Sequence, residues 1–242
     1  MFSSFWHTVF FDPIYNILVF FIDAVRNGDV GIAIIATVVV VKMVLLPLSI
    51  KAAKTQKIMR EIDPKLKEIK EKYKDDKQRL AQETMLIYKD AELNPFASVL
   101  VAFIQIPIVI ALYFAVSKGG GVHLPGINTA VLYSFVHAPA TVSMHFLGLI
   151  DITQKSLLLA LAAGVTQFLF INMTLPKLAP RKEGAPADFK DDFARNMNMQ
   201  MRYVMPLFIT FIAYSLSATI ALYFFVSNLV GIAQEFYIRK HR

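Results

Sequence analysis

The sequence predicts an all-α integral membrane protein: a five-helix transmembrane bundle with a cytoplasmic helical hairpin and an N-terminal interfacial helix. Apolar residues make up 56% of the 242 positions, with Phe alone present 20 times, and charged residues only 18%. The charges are also segregated. Long stretches free of acid or base alternate with dense charge clusters, whereas the amphipathic elements of a water-soluble chain interleave the two. The placement of the Lys and Arg residues then fixes an orientation.

Taken in order, residues 1–29 form an extracytoplasmic segment whose apolar run, 9–25, carries Asp12, Pro13 and Asp23. That pattern fits an amphipathic helix lying in the interface. A hydrocarbon core of roughly 30 Å takes about 20 helical residues to cross. Residues 30–50, 95–117 and 156–175 meet this requirement as the first three spans, the second opened by Asn94 as N-cap with Pro95 at the first helical position. Residues 203–236 are too long for one crossing. They divide at 215–219 into a fourth span, 203–216, with an alternative start near 197, and a fifth, 218–236, joined by a tight turn. The fourth is short, and short spans thin the bilayer locally. In residues 118–155 the apolar stretch is interrupted by Asn128, His137, Pro139 and His145, which predicts a folded extracytoplasmic loop.

Residues 51–94 hold 12 Lys and Arg, the loop 176–202 holds 6 and the tail 237–242 holds 3, against 1 in residues 1–29 and 2 in residues 118–155. Five spans place the three rich segments on one side, which the positive-inside rule makes cytoplasmic. The N-terminus is then outside and the C-terminus inside, in a bacterial plasma membrane. Within 51–94, Ile58, Ile62, Leu66, Ile69 and Tyr73, then Leu80, Thr84 and Ile87, recur at helical spacing. Asp63-Pro64 reads as a helix restart, and Lys74-Asp75-Asp76-Lys77 as the turn of a helical hairpin.

Several function classes drop out. The chain has no cysteine, which removes disulfides, thiolate chemistry and Cys-ligated metals. No hydrolase, zincin or phosphate-loop signature is present, so neither an enzyme nor a cofactor or metal is expected. The net charge of +7 is accounted for by membrane orientation, so no sequence-specific nucleic-acid partner is expected. The N-terminus has no basic n-region, and a cleaved signal peptide is not expected.

Lys42 is the residue that most needs explaining. It lies about 18 Å into the first span at 1.5 Å per residue, and no predicted span contains an acid before Glu235. An intramembrane charge without a partner carboxylate faces water, neutral polar groups or a visiting anion. Neutral groups are available in Gln105 on the second span, Thr166, Gln167 and Asn172 on the third, Ser215 and Thr219 at the turn, and Ser227 and Asn228 on the fifth. Together they are candidates to line a wet groove. The lack of span carboxylates argues against an ion-coupled transporter. A small polar-cavity channel or uncoupled transporter, or a structural subunit of a membrane complex, are the alternatives. Met197, Met199, Met201 and Met205 offer an adaptable apolar contact, with ordinary helix packing as the plainer explanation.

Four stretches carry a resemblance. The first runs Gly31-Ile-Ala-Ile-Ile-Ala-Thr-Val-Val-Val-Val-Lys42-Met-Val-Leu-Leu-Pro47-Leu. The second comprises Asn94-Pro95-Phe-Ala, Ile104-Gln105-Ile106-Pro107-Ile108 and Ala111-Leu112-Tyr113. The third is Ile220-Ala-Leu-Tyr223-Phe224-Phe-Val-Ser227-Asn228-Leu, and between the first two lies Asp75-Asp76-Lys77-Gln78-Arg79-Leu80-Ala-Gln82-Glu83-Thr-Met85. In this order and spacing they resemble the YidC family of membrane protein insertases, in its short form without a large extracytoplasmic domain. The resemblance implies five core helices around a positively charged hydrophilic groove open to cytoplasm and lipid, with Phe224 joining the polar residues above on its wall. It implies nascent membrane proteins as substrates, a function within the lipid bilayer, and the Sec translocon, the ribosome and signal recognition machinery as further partners. Lys42 stands where the family usually has arginine, 215–220 replace a Pro-Ala-Gly turn, and the long basic tail of some members is missing.

Overall fold

The computed structural model describes residues 2–91, 96–118, 121–175 and 195–240. The Asn94-Pro95 pair, residues 176–194 of the basic loop and the last two residues of the tail lie outside that set. The chain forms two compact units, the larger from residues 1–42 and 108–242 and the smaller from 43–107.

Among its described residues the larger unit is mainly helical outside the loop 118–155. Helix α1 (Phe2–Trp6) passes through a π-helical turn, His7–Phe11, into α2 (Asp12–Ala24). Pro13 lacks the N–H that would bond to the carbonyl of Val9, and the ladder widens there so that the Asp12 N–H donates to His7. Proline in the first turn of α2 therefore bends the hydrogen-bond pattern without ending the helix. As a result residues 4–24 form one apolar run long enough to cross a membrane, where the sequence alone points to an interfacial helix. After an Asn27-Gly28 turn, α3 spans Val30–Val44. Helix α6 (Phe96–Ser117) contributes its second half to this unit. It is followed by the loop, then α7 (Leu157–Thr174), capped by Ser156, whose hydroxyl accepts the Leu159 N–H. Residues 195–199 are helical and lead through a second π turn, Gln200–Val204, again just before a proline, into α8 (Met205–Leu216). Ser217 is extended, and α9 runs Ala218–Lys240. Residues 4–24, α7 and α9 each have the length and hydropathy of a span, and α3 reaches them only together with the start of the next helix, from which it is bent by 57°.

The loop is a small folded body. It contains a hairpin of two-residue strands, β1 (His145–Phe146) and β2 (Ile150–Asp151), pairing His145 with Asp151 and Phe146 with Ile150. It is tied to both ends of the unit. The buried Asn16 side chain on α2 donates to the Val131 carbonyl (3.0 Å) and accepts the Tyr133 N–H (2.6 Å). The Tyr15 hydroxyl accepts the Asn128 N–H. Asp29 caps α3 through the Ile32 N–H (3.1 Å) and also accepts the Leu147 N–H (2.8 Å). At the other end the Ile152 carbonyl accepts both the N–H and the hydroxyl of Thr219, each at 3.0 Å.

The Asp151 carboxylate accepts the Thr153 hydroxyl at 2.6 Å and the Thr153 N–H at 2.9 Å. The hydroxyl bond, opposed by partial burial and helped by the backbone donors and His145, holds the carboxyl below the usual range. A depressed carboxylate stabilises the fold above its unfolded pKa, and the contribution is lost as pH falls through the folded value. Acidifying below about pH 4, the ordinary carboxylate value, should therefore lower the protection of the 152–154 amides, read as exchange relative to an unstructured peptide at the same pH. In Asp151→Asn that acid-dependent loss should be absent and protection lower already at neutral pH.

In the smaller unit, α4 (Leu46–Lys72) and α5 (Lys77–Asp90) pair as a hairpin. Leu66 is buried, and Ile58, Ile62, Ile69, Tyr73, Leu80, Thr84 and Ile87 are half-buried along the seam. Tyr73–Asp75 makes the turn, and the Asp76 carboxylate caps α5 by accepting the Arg79 N–H at 3.0 Å. The Asp63-Pro64 restart does not occur. Helix α4 runs unbroken through Pro64, and Asp63 pairs with Lys67 at 3.0 Å on the exposed face. One missing N–H on a solvated face leaves its carbonyl to water, and flanking Lys, Leu and Glu favour helix.

Candidate functional site

One wall of the candidate site is α7 packed between α8 and α9, and glycines permit the close approach. A Cβ on Gly164 would lie 1.9 Å from the Thr210 hydroxyl of α8, and one on Gly231 of α9 would lie 2.8 Å from the Phe170 ring of α7. Across that seam the Asn228 amide donates to the Ala163 carbonyl and to the Thr166 hydroxyl, both at 3.3 Å. Thr166 itself donates back to the carbonyls of Ala162 and Ala163. One step along α9, Ser227 is buried and shares a side-chain hydrogen bond with Tyr223, whose ring meets Phe224 edge-on at 5.5 Å.

These geometries sort the sequence candidates. Thr166, Ser227 and Asn228 are buried and bonded within the protein: the Asn228–Thr166 bond holds α7 on α9, while Ser227 bonds to Tyr223 of its own helix. Gln167, Asn172 and Phe224 are half-buried, and the Asn172 amide donates to the Phe168 carbonyl of its own helix. Gln105 is half-buried in α6 and belongs to the smaller unit. Ser215 is exposed and Thr219 is committed to the loop. Among the described residues no group of His, Asp and Glu has the arrangement of a metal site.

Replacing the seam amide tests its weight. Asn228→Leu should cost about 1 kcal/mol, within the range measured for interhelical hydrogen bonds in membranes. Thr166 keeps its own-helix acceptors, so no buried hydroxyl is left without a partner. The shift is readable as thermal unfolding in detergent.

Lys42 stands in the last turn of α3, at the point where that helix leaves the interior. Val30, Gly31, Ala33, Ile34, Thr37 and Val38 are buried, residues 39–42 are half-buried, and Met43 and Val44 are 64% and 72% exposed. Among the described residues Lys42 has no ion pair. A cation in the last turn of a helix is stabilised by the partial negative charge of the terminal carbonyls, which holds the ammonium without neutralising it. The arrangement offers a fixed positive charge at a helix end, beside apolar surface.

Pattern reading passed over Asn16, Gly28, Asp29 and Gly31, which fasten the loop to α2 and α3. Asp29 ahead of the apolar run from Val30 is an N-cap signal, and Asn27-Gly28 is a turn dipeptide. Asn16, inside an apolar helix, carries no comparable sign.

Comparison with known proteins decides the family. A sequence model of the 60Kd inner membrane protein family matches residues 21–242. The chain belongs to that family. It is 33% identical over 214 residues to a protein of Clostridium tetani named membrane protein insertase YidC, covering 88% of this chain and 83% of the relative. A protein of the same name from Oceanobacillus iheyensis is 30% identical over 241 residues, 97% of this chain and 84% of the relative. One from Methylobacillus flagellatus is 30% identical over 97% of this chain, but the match spans only 36% of that longer protein. Family membership and the span-length helices together make this an all-α membrane protein.

Proposed function

We propose that the protein is a membrane protein insertase whose working charge is Lys42. The observation that carries the reading is a half-buried ammonium, unpaired among the described residues, where α3 emerges from the packed interior. The names of the relatives support the activity. In this reading five spans enclose a groove open to cytoplasm and lipid, with the N-terminus outside and the C-terminus inside. Gln167, Asn172 and Phe224 line it, while Thr166 and Asn228 form the seam that keeps its wall in place.

A substrate with a short acidic tail enters from the cytoplasm. Lys42 attracts the carboxylates, and the neutral groups replace part of their hydration, which lowers the cost of taking polar residues into the bilayer. The substrate's apolar helix leaves sideways into lipid, driven by hydrophobic transfer. No covalent chemistry or cofactor enters. The hairpin of α4 and α5, with Lys74, Asp75 and Lys77 around its turn, receives the chain or its targeting machinery, the ribosome and the Sec translocon being the partners of this reading.

The test is reconstitution into liposomes, scoring protease-protected insertion of a single-span substrate with an acidic tail. Insertion well above empty liposomes is expected. Insertion no better than empty liposomes across several clients would overturn the reading, and solute flux through the same vesicles would then favour a channel, its absence a structural subunit.

A further inference from the structure

The loop carries an apolar tip that the insertase reading does not use. Between β1 and β2 the chain turns through Leu147, Gly148 and Leu149, with Leu147 61% and Leu149 84% exposed. No residue from 146 to 150 is charged. Isolated exposed leucines are ordinary on protein surfaces, but this pair is held in place. Leu147 has φ of +53° and Gly148 +72°, and a leucine in the left-handed region is disfavoured by roughly 1–2 kcal/mol. Its N–H is fixed by the Asp29 carboxylate at 2.8 Å, and the adjoining Phe146 ring lies over Gly31, where a Cβ would fall 2.4 Å from it.

Those anchors also set the level of the tip. Asp29 immediately precedes α3, so the Leu147 backbone stands beside the first turn of that helix. Three residues beyond Leu149, the Ile152 carbonyl bonds to Thr219, and the Gln154 carbonyl accepts the N–H of Ala218, the first residue of α9. Three extended residues reach at most about 11 Å. Helix α9 has 23 residues, roughly 34 Å against a hydrocarbon core of about 30 Å, so its first turn lies at the edge of the hydrocarbon. The tip is thus tied close to the level at which α3 and α9 begin.

The geometry points to the Leu147-Gly148-Leu149 tip as a bilayer anchor, its two leucines seated among lipid acyl chains just beneath the headgroups. Transfer of exposed apolar surface out of water drives the seating. The anchor fixes the depth of the loop, and through Asp29 and Thr219 the level of the ends of α3 and α9. It depends on the protein's residence in a membrane and not on insertase activity.

The absence of cysteine makes the test direct. Leu149→Cys carries one nitroxide label in the full chain reconstituted into liposomes, and collision with oxygen, which concentrates in lipid, is compared with collision with a water-soluble nickel chelate. A label at Lys77→Cys, exposed at the hairpin turn, serves as the aqueous reference. The ratio of oxygen to nickel accessibility should be clearly higher at 149 than at 77. Equal ratios, or a label reached by neither probe, would overturn the anchor. A second reporter guards against a labelling artefact: Leu149→Trp in a Trp6→Phe background, where Trp6 is the sole native tryptophan. Its emission should be strongly quenched by lipids brominated near the headgroup and little affected by aqueous iodide. Quenching by iodide alone would overturn the proposal independently of any insertion assay.

Discussion

Lys42→Ala should lower insertion of an acidic-tailed substrate by roughly 10- to 100-fold, the equivalent of losing one hydrogen bond to a charged group at about 1.5–3 kcal/mol. Lys42→Arg should retain most of the activity. The position of the ammonium on α3 sets the size of the effect. It is half-buried in the last turn, with no carboxylate ion-paired to it among the described residues. An ion pair already present would have to be broken before a substrate carboxylate gained anything. A lone cation held by helix-terminal carbonyls has that attraction free for the incoming tail. Arginine keeps the charge and adds a planar fork that binds a carboxylate with two parallel bonds. A substrate whose tail acids are changed to Asn and Gln should lose the dependence on position 42, since the attraction needs both charges. Equal insertion by wild type and the Ala variant would leave an insertase in which Lys42 has no part. A fall in Ala that persists with the neutral tail would make Lys42 structural.

How much of this was legible follows the distance over which each feature is encoded. The seam of Ile58, Ile62, Leu66 and Ile69 against Leu80 and Ile87 repeats every few residues, and the structure turns those side chains inward. The apolar blocks of α7 and α9 are equally local. What one sequence withholds is which faces meet. Thr166 and Asn228 have the residue types of a polar lining, yet the bond between them joins residues 62 apart and makes them a seam. The loop contacts are longer still, Asn16 to Tyr133 across 117 positions and Asp29 to Leu147 across 118. Periodicity has no reach over such separations. The Asp63-Pro64 misreading is of the opposite kind. There a dipeptide rule was outweighed by the helix-forming residues on either side, because a solvated helix tolerates one missing N–H.

Gly28→Val should be the most damaging single change outside the site, costing at least about 3 kcal/mol, beyond the common range for point mutants. Gly28 has φ of +63°, so a β-branched side chain there is strained before any contact is counted. The contact is worse. A Cβ would lie 1.9 Å from the Thr141 carbonyl oxygen and 2.7 Å from its carbon, and both are backbone, so no rotamer change relieves the clash. The loop must move, and it carries a linked set of bonds with it. The Ser143 N–H donates to the Gly28 carbonyl at 2.8 Å, the Val30 N–H to the Ser143 carbonyl at 3.0 Å, and the Leu147 N–H to Asp29. Gly148→Val supplies the control. Its φ of +72° imposes a similar conformational strain, but nothing lies within 4 Å of the added Cβ, so it should cost only the roughly 1–2 kcal/mol of the left-handed conformation. Thermal unfolding in detergent and hydrogen exchange at Val30, Ser143 and Leu147 read the difference. In Gly28→Val those amides should lose protection together, and in Gly148→Val the amides of Val30 and Ser143 should keep theirs. Similar losses in both variants would mean that the loop is not docked on the start of α3, and the bilayer anchor at Leu149 would lose its footing with it.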